Sequence, residues 1–354
     1  MDHAVVMAGG SGTRFWPESR AGRSKQFLDL TGRGPMIAET VNRLRPLFRR
    51  ENIWIVAGEK DRRHVNARAL GIPRGNVLLE PAGRNTAPAL ALAAARIARR
   101  DPDAVVAATP ADHAVKDGRG FRATLRKGLR LAGRTGRFVT LGIAPSSPAT
   151  GYGYIERGRP FGPPGGGVYN VRKFTEKPDP ATARRFVRSG RYDWNSGIFL
   201  FRVSAYRDSL ARHLPAVHAE IEKAFRSHGA NAFRGKLAAA YRRLPSISVD
   251  CGILEKEDGI LVIPADFGWS DLGTWRSLHE FMGRAEDNVT FGNVILSECG
   301  GTLARTDRGL VAVVGMRDVV VVRSGDAVLV CPRSRSEEVK RIAEQVRREY
   351  PALA

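Results

Sequence analysis

Residues His3–Arg14 read HAVVMAGGSGTR: an apolar run, His3–Met7, passes directly into a loop carrying Gly9, Gly10 and Gly12 and closing on Arg14. A short strand with no polar alternation belongs in a sheet covered on both faces. Glycines at this density let backbone N–H groups approach a phosphate chain closely, and the planar guanidinium of Arg14 adds a fixed cation. The loop is not a dinucleotide fingerprint, because Phe15 stands where the third glycine would fall, and it is not a Walker loop, because no Gly-Lys-Ser/Thr follows. The same glycines also suit a plain tight turn. Lys25, opening Lys25-Gln26-Phe27, can return a second cation to the same mouth.

Outward from this loop, strand-like runs alternate with helical patterns. Helix is expected at Met36–Phe48, Ala87–Arg99 and Phe121–Leu131, and strand at Ile53–Ala57, Val77–Leu79, Ala104–Ala108, Phe138–Ile143 and Ile260–Ile263. That alternation predicts an α/β fold with a mostly parallel sheet, whose ligands sit beyond the carboxyl ends of the strands. From Gly151 to Phe201 the pattern turns to extended pieces, broken by a flexible FGPPGGG stretch that reads as an exposed hairpin tip. Helices follow from about Ser204 to Tyr241. After Glu286, short Val/Leu-rich runs separated by Gly, Asp and Arg predict a compact β-rich unit, closed by a charged helix from Ser336 to Tyr350. The division expected is a catalytic domain over 1–285 and a small C-terminal domain over 286–354.

The chain has 354 residues and 43% apolar content, enough for a packed core in one large domain with an appendage or in two domains. No apolar run approaches the roughly 20 residues of a membrane span. The start MDHAVVMAGG has no basic region, long apolar stretch or cleavage site, so a cytoplasmic protein is expected. Cys251, Cys299 and Cys331 form neither a disulfide framework nor a CxxC pair and read as buried thiols. The net charge of +21 raises nucleic acid as a partner. Its 47 arginines are scattered over nearly every expected helix without an aromatic stripe, which fits a solvated coat and no specific nucleic acid.

MAGGSGTRFWPESR followed by KQFL resembles the signature of the nucleoside-diphosphate-sugar pyrophosphorylases. Phe15-Trp16-Pro17 and Ser19-Arg20 are similar to the mannose-1-phosphate guanylyltransferases of that family. Further matches run in order: EPAGRNTAPA (Glu80–Ala89), TPADH (Thr109–His113), GYGYIE (Gly151–Glu156), FTEKP (Phe174–Pro178), WNSGIFLF (Trp194–Phe201), VDCGILEK (Val249–Lys256) and WSDLGTW (Trp269–Trp275). The resemblance implies a Rossmann-like nucleotide-diphospho-sugar transferase fold with a C-terminal domain like the family's left-handed β-helix, which there supports dimer contacts. The implied reaction is GTP plus α-D-mannose 1-phosphate giving GDP-mannose, a polysaccharide precursor, and pyrophosphate. Two alternatives stay open: the same transfer to a manno-heptose or glucose 1-phosphate, and a non-catalytic paralogue that senses GDP-mannose. Intact Arg14, Lys25, Asp112, Lys177 and Asp271 speak against the silent form.

Asp112 follows an expected strand and Asp271 sits in a glycine-flanked loop; alone, each suits a cap or turn. Two carboxylates from distant loops can hold one Mg²⁺, which prefers oxygen ligands and bridges substrate phosphates, and the resemblance makes these two the metal ligands. The attacking atom, a phosphate oxygen of the sugar, is already anionic, so no general base is needed and His113 is read as structural. Catalysis then rests on positioning and charge neutralisation. The resemblance assigns Arg14 and Lys25 to the nucleotide phosphates and Lys177 to the sugar phosphate, although Lys177 before Pro178 also reads as a solvated turn residue. It assigns Glu176, Asn195 and the backbone at Gly153 to the hexose. The nucleotide is expected against Ala8, Gly9, Gly10, Gly12, Thr13, Asn85 and Thr86, with Asn85 or Thr86 also capping a helix. Trp194 and Trp275 are read as packing anchors.

Two residues depart from the family pattern. Glu18 adds an anion to a phosphate-facing loop, with Arg20 expected to offset it, and Cys251 replaces a common aromatic with an expected effect on packing. The isomerase domain of longer relatives is not matched, so a single activity is expected, and the likeness to the family's β-helix implies a homodimer.

Overall fold

The computed structural model describes residues 1–10, 12–20 and 22–353, so Ser11 of the glycine loop lies outside the described residues. The chain divides into two compact units, one built from Met1–Gly9, Val41–Ala111 and Val115–Trp269, the other from Gly10–Thr40, Asp112–Ala114 and Ser270 onward.

Nine strands make the sheet of the first unit, in the order Val77–Glu80, Ile53–Gly58, Asp2–Ala8, Val105–Pro110, Tyr192–Arg202, Val139–Ile143, Leu261–Ala265, Tyr169–Thr175, Tyr154–Pro160. The first four pair in parallel, as does Leu261–Ala265 with Val139–Ile143. Tyr192–Arg202 runs antiparallel to both its central neighbours, so the expected parallel sheet is completed as a mixed one. His3 through Ala8 are all buried, as a strand covered on both faces requires. Helix Thr86–Ala98 packs against this sheet and against Val203–His213 and Pro215–Phe225, which is why eleven of its residues, seven of them alanine, are buried. Small side chains allow that close approach on every side at little cost in helix propensity.

The FGPPGGG stretch joins the antiparallel strands Tyr154–Pro160 and Tyr169–Thr175, as the turn chemistry predicts. Within the region read as extended pieces, however, Pro180–Ser189 is a helix. Asp179 Oδ1 accepts from the Ala181 and Thr182 N–H groups, Pro180 occupies the first turn, and Gly190 at φ 66° ends it. This Asp-Pro start is a helix signal that reads as a turn when the preceding EKP dominates.

In the second unit, Val289–Phe291, Leu303–Thr306 and Val319–Ser324 stack in parallel, while Val294–Ser297 pairs in parallel with Val311–Val314. Parallel pairing of every second strand is the winding of a β-helix, closed here by antiparallel Ala327–Pro332 and the helix Val339–Glu349. Its core joins Phe15, Trp16, Leu28 and Leu30 to Trp275, Leu303, Val320 and Val339. Trp275 is fully buried, meets Phe15 edge-on at 4.8 Å and donates its indole N–H to the Trp16 carbonyl, the packing role expected of it. Trp194, in the first unit, is likewise buried, against Tyr152. The three cysteines are half-exposed rather than buried.

Candidate active site

The predicted residues fall into one cluster in each unit. In the second unit the glycine loop closes on a short turn, Thr13–Phe15, in which the Phe15 N–H donates to the Gly12 carbonyl at 2.9 Å. Gly12 has φ 63°, and a Cβ there would stand 2.3 Å from Lys25 Cβ, so only glycine lets the two loops touch. Lys25 is buried, and its ammonium donates to the Asp112 carbonyl at 2.9 Å, to Asp112 Oδ2 at 2.9 Å and to the Asp271 carbonyl. An ammonium has three protons to give. The structure thus gives Lys25 three partners on Asp112 and Asp271 that the sequence did not reveal.

Burial pushes the Asp112 carboxyl up, but the Lys25 and His113 charges outweigh it and hold the group below the ordinary aspartate range. Asp271 Oδ1 accepts from the Gly273 N–H at 3.0 Å. Among the described residues no group of three or more His, Cys, Asp or Glu could hold a metal ion. Lys25 thus ties the Asp112 carboxylate to the Asp271 backbone carbonyl. Mg²⁺ is commonly bound by one or two carboxylates, with substrate phosphates and waters as the other ligands. Arg14 is exposed, and its Nε lies 2.9 Å from Glu337 Oε2 in a pair open to solvent. Glu18 does not face the loop mouth: it is buried against Arg305, while Arg20 bonds the Pro17 and Ser324 carbonyls and Asp326. The correction has a simple cause, since a partner 287 positions away is invisible to local reading.

In the first unit a cavity of about 370 Å³ is lined by Asn85, Thr86, Glu176, Lys177, Asp250 and Cys251 with Ser246–Ser248. It therefore gathers the expected nucleotide residues Asn85 and Thr86 with Glu176, expected at the hexose, and Lys177, expected at the sugar phosphate. Asn85 takes φ 65° and ψ −170°, a positive-φ extended conformation rare for any residue but glycine, and its Oδ1 accepts from the Thr86 N–H, making it the cap of Thr86–Ala98. Thr86 Oγ1 accepts from the Val249 N–H at 2.9 Å, tying this cap to the segment that carries Asp250. Arg84 holds the same loop by donating to the Tyr241 carbonyl at 2.7 Å.

Lys177, with φ 44°, pairs at 2.8 Å with Glu176, and this bond lifts its ammonium pKa above the ordinary lysine value. A Cβ on Gly153 would meet Glu176 Oε2 at 2.5 Å, so a larger residue there would displace that carboxylate. The Gly153 carbonyl accepts from the Asn195 N–H at 2.8 Å, bringing both expected hexose residues to the Glu176 side. Ala8 is buried at the end of its strand, and Gly9 follows it exposed. Sequence reasoning missed Asp250 and Glu80, although both lie in quoted motifs. Asp250 Oδ1 accepts from Asn195 Nδ2 at 2.8 Å. Glu80 is buried under the Tyr241 hydroxyl, 3.1 Å away, and burial pushes its carboxyl up to about 7.

Comparison with known proteins places this arrangement. A family model described as nucleotidyl transferase matches residues 3–288, and one described as a MannoseP isomerase/GMP-like beta-helix domain matches residues 292–346. The mannose-1-phosphate guanylyltransferase of Escherichia coli is 40% identical over 98% of this chain and 73% of its own length. The xanthan biosynthesis protein XanB of Xanthomonas campestris is 40% identical over 97% of this chain and 73% of its own length. A crystal structure of a mannose-1-phosphate geranyltransferase, so named, from Thermus thermophilus superposes with TM-score 0.89 at 35% identity, covering 98% of this chain and 99% of that one. A family model over residues 3–288 and relatives 40% identical over nearly all of this chain show that the chain belongs to the nucleotidyl transferase family.

Proposed function

We propose that this chain transfers GMP from GTP to α-D-mannose 1-phosphate, giving GDP-mannose and pyrophosphate. The observation that carries the reading is the cavity where Asn85 and Thr86 meet Glu176 and Lys177, which offers neutral amide and hydroxyl groups beside a carboxylate and a cation. A guanine edge needs both donors and acceptors, and a hexose needs paired acceptors for its hydroxyls. The names of the relatives agree with it.

A phosphate oxygen of the sugar attacks the α-phosphorus of GTP in line. A new P–O bond forms, the bond from the α-phosphorus to the bridging oxygen breaks, and its electron pair leaves with pyrophosphate. The nucleophile carries no proton to remove, so no general base is assigned. Arg14 neutralises charge on the leaving pyrophosphate, exchanging Glu337 for it, and Lys177 pairs with the sugar phosphate. Asp112 and Asp271 would hold Mg²⁺, which when bound neutralises phosphate charge. Lys25 holds the two aspartates in place and keeps Asp112 ionised.

No described helix is long and apolar enough to cross a membrane. A cytoplasmic homodimer is part of this proposal; the exposed Ile295, Val314, Val328 and Val330 of the β-helix suit contact with a second copy.

The test is ³¹P NMR of the protein with GTP, mannose 1-phosphate and Mg²⁺. Appearance of GDP-mannose with an equal amount of pyrophosphate supports the reading. Binding of GDP-mannose without turnover would make the chain a sensor instead.

A further inference from the structure

We propose that Asp250 is the acceptor that reads a hydroxyl of the bound hexose, with Asn195 as the residue that orients it. The assignment rests on the reading above that the cavity takes a sugar 1-phosphate. Glu176, the acceptor suggested by sequence, shares Oε1 with Lys177 at 2.8 Å, the cation assigned above to the sugar phosphate, so its place is beside that phosphate. Asn195 is fixed at both ends of its amide: Oδ1 accepts from the Gly197 N–H at 3.1 Å, and Nδ2 donates to Asp250 Oδ1 at 2.8 Å. One remaining amide proton leaves Asn195 little with which to read a sugar.

Asp250 differs from both. It starts the helical turn Asp250–Leu254, is half-buried and lines the cavity. Among the described residues the one side-chain hydrogen bond to its carboxylate comes from Asn195. An aspartate at such a wall needs further donors, and a hexose hydroxyl supplies one. Its other cavity neighbours Asn85, Thr86, Ser246 and Ser248 are neutral. The charged or titratable groups facing it are Glu176 and Lys177, from the turn after strand Tyr169–Thr175, and Cys251 on its own element. Burial and the Glu176 charge together raise its carboxyl to about 6, against Asn195 and Lys177, so near neutral pH it is mainly an ionised acceptor. Protonation below that point turns one acceptor oxygen into a donor and weakens the reading.

The experiment is steady-state kinetics of the wild type, Asp250→Asn and Asp250→Ser with mannose 1-phosphate and its monodeoxy analogues, GTP held saturating and then varied. Both variants are expected to raise KM for the sugar phosphate on the order of 10–100-fold, as for loss of a hydrogen bond to a charged group, with KM for GTP within about twofold. One monodeoxy analogue should be poor for the wild type and no longer penalised in the variants. Wild-type KM for the sugar should climb below about pH 6 more steeply than that of Asp250→Asn, which keeps only the part due to protonation of the substrate phosphate. An unchanged sugar KM, a change confined to GTP, or an equal deoxy penalty in wild type and variants would overturn the assignment. Should either variant fail to fold, a wild type indifferent to every monodeoxy analogue would overturn it too. A wild type that turns over no sugar 1-phosphate refutes the reaction itself; turnover with unaltered sugar reading in the variants refutes Asp250 alone.

Discussion

The Lys25 ammonium lies 2.9 Å from Asp112 Oδ2 and also donates to the Asp271 carbonyl, so one buried cation fixes two loops that are far apart in the chain. Lys25→Met removes the charge that holds Asp112 ionised and leaves three oxygens without their donor. A loss of roughly 2–3 kcal/mol in stability is expected, together with weakened dependence of turnover on Mg²⁺. Urea denaturation and a Mg²⁺ titration of activity check both. Gly12→Ala should act in the same direction, because its Cβ would fall 2.3 Å from Lys25 Cβ at a φ of 63°.

Replacing Asp112 or Asp271 with Asn should abolish turnover; Asp271→Asn should leave the thermal transition close to wild type, whereas Asp112→Asn, which strips the buried Lys25 of its carboxylate, should lower it. The double replacement should cost little more than either single one, as for groups acting as a unit. Activity near wild type in either variant at saturating Mg²⁺ would remove that residue from the site.

Arg14 and Lys177 should separate kinetically. Arg14→Ala is expected to depress kcat, because the charge it meets develops on the leaving group, whereas Lys177→Ala should chiefly raise KM for the sugar phosphate. Glu337→Gln frees Arg14 from its 2.9 Å partner and should leave kcat unchanged or raised, since that pair is open to solvent. Initial rates over a grid of both substrates give the split; a Lys177→Ala effect confined to GTP would contradict it.

The strand His3–Met7, the glycine loop and the β-rich texture after Glu286 were legible because each is written in adjacent residues. So was Asn85 as a helix cap. The partners of Glu18 and Lys25 were not, because ion pairing across long sequence separation leaves no local trace. Pro180–Ser189 was readable in principle from Asp179-Pro180 and Gly190, yet the neighbouring EKP turn obscured it. Asp250 stood in a quoted motif, but its exposure to the cavity depends on a turn whose direction no periodicity reveals.

Glu80 gives stability a pH dependence. Its carboxyl titrates at about 7 in the folded chain, against an ordinary value of 4.5. Between these values the native state keeps a proton that the unfolded chain has lost, so its contribution makes stability fall as pH rises from 4.5 to about 7, and level off above. The full span amounts to roughly 3 kcal/mol at 1.36 kcal/mol per unit. Glu80→Gln should remove this slope and be more stable than wild type at pH 8, as read by urea midpoints from pH 5 to 8. A wild-type slope that survives the substitution would place its origin elsewhere.

The most direct measurement is the rate of pyrophosphate release over a grid of nucleoside triphosphates and sugar 1-phosphates with Mg²⁺ present. The account predicts fastest release for GTP with mannose 1-phosphate and none for GTP alone. A manno-heptose or glucose 1-phosphate as the best partner, or no release from any pair despite binding of GDP-mannose, would contradict it.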